Sequence, residues 1–294
     1  MIKGGLQVKS RFQYKRYTRS SGGNFTILIF LISISVIAVL PIIYSISTAF
    51  KPLDELLVFP PRFFVHNPTL ENFTVLPSLL SNLHVPLSRY IFNSLFIAAI
   101  STLFQIIFSS MAAFVFSLTK IKGRNIIFFI VQFSLLYNGY TLGVPRYMIF
   151  NWLDIMDSYW VYILPAIPSS MGVFLMKQYM DSSIPVSLLE AAKIDGANLL
   201  RIYGSIVMPL TKPAWMTLML FAFQGMWSVV PSGTVFSEEL KTLPYVMSSI
   251  SAGGIARSGS AMAVTVLLMI PPVVVYFISQ SKVMETMSTA GMKG

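Results

Sequence analysis

Residues 185–209 read PVSLLEAAKIDGANLLRIYGSIVMP. The stretch lies between two long apolar runs. It is too short for a domain and too apolar for a solvated linker. Ser187 and Glu190 have the S-x-x-E spacing of a capping box, which predicts a helix from Leu188. That helix is expected to run to about Ile194. Asp195-Gly196 then supplies a turn, with Gly196 free to take a positive φ. Asn198 is placed to cap a second helix that ends before Pro209. The first helix, at about two turns, is shorter than the roughly 12–15 residues at which isolated helices persist in water. Its Leu188, Leu189, Ala191, Ala192 and Ile194 therefore need cover. Two coverings satisfy the physics equally: the chain's own bundle, or a groove on a partner whose wall Glu190 and Lys193 would reach. In the second case a short, rigid, apolar-faced helix is a lever.

The rest of the chain is membrane-like. Of its 294 residues 55% are hydrophobic and only 11% charged, against roughly 25% charged in a soluble domain. Apolar runs free of Asp, Glu, Lys, Arg and His occupy 24–50, 90–119, 125–145, 158–176, 214–237 and 258–281. Each is long enough to cross a hydrocarbon core at about 20 residues per span. The expected fold class is an all-α membrane protein of six transmembrane helices, with a basic N-terminus over 1–23, a permease domain over 24–281 and a tail over 282–294. With that topology, 15 of the 21 Lys and Arg fall on the side of the two termini. The positive-inside rule then places both termini in the cytoplasm. The net charge of +10 reads as this topology signal plus attraction to anionic lipid, and no nucleic acid is expected. The first run is too long for a signal-peptide core, and no A-x-A site follows it. The external segment 51–89 carries Pro60, Pro61, Pro68, Pro77 and Pro86, which favour extended and turn conformations. It is expected to form a small cap or docking surface.

The absent residues narrow the function. There are no cysteines and two histidines, His66 and His84, both in the external segment, so no metal centre is expected. No GxxxxGK[ST] phosphate loop occurs. The spans offer no ionisable residue to bind a coupling proton and no charged ring for an ion filter. Asp154 and Asp157 are near enough in sequence to pose as a catalytic pair, but a solvated loop at the membrane boundary explains them. The uncharged polar and aromatic residues Gln105, Tyr137, Asn138, Tyr140, Gln224 and Trp227 suit the pathway of a neutral, hydroxyl-rich solute, or else helix–helix contacts. The chain is thus a pathway without an engine. The alternative is a stand-alone secondary carrier or channel for a small polar solute.

Glu190-Ala191-Ala192, then three residues, Gly196, then nine, and Ile206-x-Met208-Pro209 resemble the EAA motif of ABC-importer permeases, EAA-x3-G-x9-I-x-L-P, with Met208 where leucine is usual. FKPLDELLVFPPRF, NPTLENF, the second apolar run and the tail STAGMKG are similar to the maltose-type carbohydrate permeases, over nearly the whole chain. Trp227-Ser228 stands where the family often has Trp-Asn. The resemblance implies a multi-pass subunit of a bacterial cytoplasmic (inner) membrane, paired with a second, non-identical permease subunit. Two ATP-binding subunits would dock below, and an extracytoplasmic solute-binding protein would deliver a carbohydrate. Glu190, Ala191, Ala192, Asp195, Gly196, Ile206 and Pro209 would form the ATPase-coupling element. The chain itself would be a non-catalytic transport subunit with no cofactor, ATP and Mg being held by the partner ATPase subunits. Alternating access would follow because nucleotide changes the partners' affinity between two states.

Overall fold

The computed structural model describes residues 21–81, 84–119, 121–136, 139–231 and 233–291, with side chains over the same ranges except 21, 22, 139, 140, 282 and 284–291. Among the described residues the ordered elements are all helical. In chain order they are α1 (Ser21–Ala49), the one-turn helices α2 (Leu53–Leu56), α3 (Glu71–Thr74) and α4 (Leu76–Leu79), α5 (Leu87–Leu118), α6 (Arg124–Ser134), α7 (Gly143–Trp152), α8 (Trp160–Ala166) and α9 (Ser170–Ser183). They continue with α10 (Val186–Ile194), α11 (Leu199–Ile202), α12 (Met208–Leu210), α13 (Lys212–Trp227), α14 (Leu243–Ser251) and α15 (Ser258–Gly291). The chain forms two units, residues 1–44 and 45–294. The first contributes most of α1, whose most apolar window has a mean hydropathy of 2.9.

Four helical segments are each long and apolar enough to cross a membrane: Gly23–Ala49, Leu87–Leu118, Trp160–Ser183 and Ile255–Ser281. A fifth arises if Leu199–Leu210 and Lys212–Trp227, bent by 79°, count as one. The expected third span is not one helix. It ends at Ser134, passes a 3-10 turn at Gly139–Leu142 and restarts as α7. In a continuous helix Pro145 would strike the carbonyl four residues back, whereas the first turn of a new helix tolerates it. The fifth run leaves the helix at Ser228 rather than at Ser237. The fourth continues past Met176 to Ser183, and the sixth past Ser281 to Gly291. In the segment 51–89 the prolines mark helix ends instead of excluding helices. Pro52 precedes α2, Pro77 sits in the first turn of α4 and Pro86 precedes α5.

Helix α5 is the central post, with α9 and α13 packed along it and α15 behind α13. Its buried residues include six polar ones, Asn93, Ser94, Ser101, Thr102, Ser109 and Ser110, beside Tyr90, Ile97, Ala98, Ala113 and Phe114. Small residues let helices approach closely where lipid supplies no hydrophobic drive. The approach of α9 to α5 is close at Gly172, where an added Cβ would lie 2.5 Å from Ser109 Oγ and 3.0 Å from Ser109 Cβ. The segment 51–89 is tied down by buried charge. The Glu55 carboxylate accepts the N–H groups of His66 (3.0 Å) and Asn67 (2.8 Å), and Lys51 Nζ donates to the Arg62 carbonyl. Asn72 Nδ2 donates to the carbonyls of Ala49 (3.0 Å) and Lys51 (2.7 Å).

Gly172→Ala should destabilise the detergent-solubilised protein by about 1–3 kcal/mol through overpacking, read as a lowered Tm. Ser109→Ala alone should cost less, and combining it with Gly172→Ala should restore part of the loss. Unchanged Tm for Gly172→Ala would show that α5 and α9 do not meet this closely.

Candidate functional site

Pro185, with φ −66° and ψ 135°, is the N-cap of α10, so the helix begins at Val186 and Ser187 lies inside its first turn. The expected capping box is therefore not formed. A proline before the first turn fixes the entry angle without any side-chain cap. The other end matches expectation. Gly196 has φ +78°, its N–H donates to Lys193 O and the N–H of Ala197 donates to Ala192 O, each at 3.0 Å. These are the two bonds of a Schellman motif with glycine at its left-handed position. Asn198 Oδ1 accepts the Arg201 N–H at 2.8 Å. The following helix does not stop before Pro209. Residues Tyr203–Val207 widen into a π turn and Pro209 falls within α12. The wider turn has the i→i+5 bond Met208 N–H to Tyr203 O, which accommodates a ring that a tight α turn would reject.

Helix α10 has two apolar faces. Leu189 and Ala192 are buried in a cluster with Phe114, Met176, Met180, Ile202 and Leu218. On the other side Val186 is 65% exposed, Ile194 86% and, beyond the turn, Leu200 73%. Glu190, Ala191, Asp195, Gly196 and Pro209 are exposed, and Ile206 is half-buried against the same cluster. Of the two expected coverings the chain's own bundle is present on one face, and the other face is open. Beside the helix lies a cleft of about 630 Å³ between the end of α5 and α10–α11, with Glu190 and Lys193 among its walls. Tyr203 ties this region to α5, sharing a 2.7 Å hydrogen bond with the Ser110 hydroxyl.

A second cavity, of about 930 Å³, opens between α7, α8 and the chain after α13. None of the described pathway candidates lines it. Gln105 is half-buried on α5 and Gln224 is exposed elsewhere. Trp227 is 3% exposed, stacks on Phe223 at 5.8 Å and donates its indole N–H to Leu268 O at 2.8 Å. It is a core residue. Tyr137, Asn138 and the side chain of Tyr140 lie outside the described residues. Sequence reasoning missed Tyr147, Tyr162 and Ser228, which do line the cavity. The composition of the third run pointed to aromatics there, but the break that turns α7 toward α8 carried no charge or period to announce it.

The cavity wall is held by a polar strap over 234–243. Asn93 Nδ2 donates to Glu239 O (2.7 Å) and Lys241 O (2.8 Å), and its Oδ1 accepts from Tyr159 OH (2.7 Å). Glu238 accepts from Tyr90 OH at 2.8 Å and pairs with Lys241. The Asp157 carboxylate accepts the N–H groups of Phe236 and Ser237, each at 2.8 Å, and the Ser237 hydroxyl. Burial alone would raise the Asp157 carboxyl. The Ser237 hydroxyl and N–H, the Phe236 N–H and the charge of Lys241 outweigh it and hold the group below its ordinary value. Asp157 thus pins the strap from the side of the chain that precedes α8.

No family model matches the chain. It is 29% identical over 270 residues to a putative ABC transporter permease, ORF2, of Caldicellulosiruptor sp. (strain Rt8B.4), covering 90% of this chain and 96% of the other. It is 30% identical over 258 residues to the sulfoquinovosyl glycerol transport system permease SmoH of Agrobacterium fabrum, covering 86% and 88%. Among solved structures it is similar to a chain in the crystal structure of a bacterial ABC transporter involved in import of the acidic polysaccharide alginate. There the TM-score is 0.74 at 22% identity, over 90% of this chain and 98% of that one.

A carboxyl whose folded value is lowered stabilises the fold fully above the ordinary carboxylate range. That contribution is lost as pH falls through this range to the lowered value. The Tm in detergent should therefore drop on acidification below about pH 4, and Asp157→Asn should flatten part of that drop. An equally steep acid profile in Asp157→Asn would remove Asp157 from the strap. Asn93→Leu, which strands two backbone carbonyls and the Tyr159 hydroxyl, should cost about 2–4 kcal/mol at any pH.

Proposed function

Because the chain belongs to the ABC transporter permeases of carbohydrate transport systems, we propose that it is one membrane subunit of an ABC importer that takes a carbohydrate into the cytoplasm. In this reading six membrane crossings leave both termini inside, α6 with α7 serving as the broken third crossing and α13 as the fifth. The membrane is the bacterial cytoplasmic membrane. A second, non-identical permease subunit pairs with this one, and an extracytoplasmic solute-binding protein delivers the solute. Separate ATPase subunits bind ATP and Mg, and this chain holds no cofactor.

The single observation that carries the proposal is the double-faced α10. A helix of nine residues is marginal alone. Here it is seated on its own bundle through Leu189 and Ala192 and leaves Val186, Ile194 and Leu200 exposed to solvent. An ATPase groove that covers this second face would grip a peg already fixed to the membrane domain. Ala191, exposed beside Glu190, permits close approach. ATP binding would then move the peg, and the pathway would turn outward because the two states bind the partner unequally. The similarity to the sulfoquinovosyl glycerol transport system permease of Agrobacterium fabrum supports a carbohydrate over an ion or an amino acid.

Two variants test this. An added Cβ at Gly196 meets nothing within 4 Å, so Gly196→Val fails only by its φ of +78°, at roughly 1–2 kcal/mol. It should still insert in the membrane but lose uptake and ATPase co-purification. Glu190→Lys should do the same with no effect on the Tm of the isolated chain. Wild-type uptake and co-purification in both variants would defeat the proposal. Transport by the purified chain alone in liposomes would favour a stand-alone carrier.

A further inference from the structure

The 930 Å³ cavity has one charged side chain among its lining residues, Arg146 of α7. Among the described residues its guanidinium meets neither a carboxylate nor a hydrogen-bond acceptor, whereas two carboxylates of the neighbouring strap are engaged. Asp157 is held by Phe236 and Ser237, and Glu238 by Lys241 and Tyr90. The remaining wall combines rings, Tyr147, Phe150 and Tyr162, with the hydroxyls of Ser228 and Thr234. Arg146 is exposed, so its guanidinium stands open to whatever enters the cavity. No counter-charge among the described residues competes for it, and an occupant can supply one.

We propose that this cavity takes an anionic saccharide and that Arg146 holds its carboxylate. This deepens the permease reading and rests on it. A planar guanidinium matches a carboxylate with two parallel N–H donors, which a lysine cannot do. The tyrosine rings offer flat faces to sugar rings, and Ser228 and Thr234 offer partners to ring hydroxyls. A lipid headgroup would use only the charge and would leave the aromatic and hydroxyl wall without purpose. The volume lies within the range of ligand sites, roughly 300–1,000 Å³. The first turn of α7, whose N-cap Leu142 supplies no side-chain cap, lines the same space and adds the positive end of a helix dipole.

The test uses the complex co-purified with this chain, in phosphatidylcholine nanodiscs without binding protein. Calorimetry measures binding of trigalacturonate and of its carboxyl-reduced, neutral counterpart. The wild type should prefer the acid. Arg146→Gln should weaken trigalacturonate about tenfold or more and leave the neutral trisaccharide unchanged, with Arg146→Lys between. Should Arg146→Gln fail to assemble, salt on the wild type decides. Affinity for the acid should fall with ionic strength, and affinity for the neutral sugar should not. Equal affinity for both sugars, an acid affinity indifferent to Arg146→Gln, or one indifferent to salt would overturn the inference. So would displacement of the acid by phosphatidylglycerol with the same Arg146 dependence, which would assign the arginine to a lipid. If the wild-type complex shows binding-protein-stimulated ATPase activity and these results still go against Arg146, only this inference fails. If no ATPase accompanies the chain, both fall.

Discussion

The indole N–H of Trp227 donating to the Leu268 carbonyl shows the constraint that the rest of the structure obeys. Helix α15 carries Pro271 and Pro272. Pro272 has no N–H, so the carbonyl four residues earlier, that of Leu268, loses its helical partner. In an apolar surround an unpaired carbonyl costs several kcal/mol. A side chain from the neighbouring helix supplies the bond, and Trp227 is held in the core by it. The same constraint recurs at each irregularity. The π turn absorbs Pro209, Thr211 Oγ1 bonds to Val207 O and Trp215 Nε1 to Met208 O at the bend. Asn93 serves two carbonyls of the strap. Polar residues in the spans are thus first structural partners, and only what remains is available for transport.

This ordering explains how much was legible in the sequence. Gly196 and Asn198 were read correctly because each acts through its own backbone or the next three residues. The long helices α1, α5 and α15 follow from apolar length alone. The start of α10 was misplaced because two local signals competed, Pro185 and the Ser187/Glu190 pair, and proline is a covalent restraint whereas a cap is worth about 1 kcal/mol. The ends of the third and fifth runs were hidden for a different reason. Hydropathy continues through Leu135, Leu136, Val229 and Val230 although the helix does not. The hydrogen bond of Trp227 is not legible locally, because its partner lies 41 residues away, beyond any local pattern.

The two cavities differ in a way that follows from composition. The cleft beside α10 is walled by Met111, Phe114 and Leu118 with one charge of each sign, and the larger one joins an apolar wall, Val144, Phe150, Val161 and Val229 among it, to two tyrosines, two hydroxyls and one cation. The first is suited to an apolar protein surface, the second to a hydrated solute. Both lean on α5, the first through Tyr203 and Ser110, the second through Asn93, Tyr159 and the strap. A single buried helix therefore frames the two ends of the molecule at which its work is placed.

The 79° elbow between Leu199–Leu210 and Lys212–Trp227 has a mechanical corollary. An arm set nearly square to a shaft acts as a crank: a sideways shift of its tip twists the shaft about its own axis and barely lifts it. The elbow is braced by the Thr211 and Trp215 hydrogen bonds, so the twist is not lost at the joint. Torque, not thrust, is what α13 would deliver to the walls beyond Trp227.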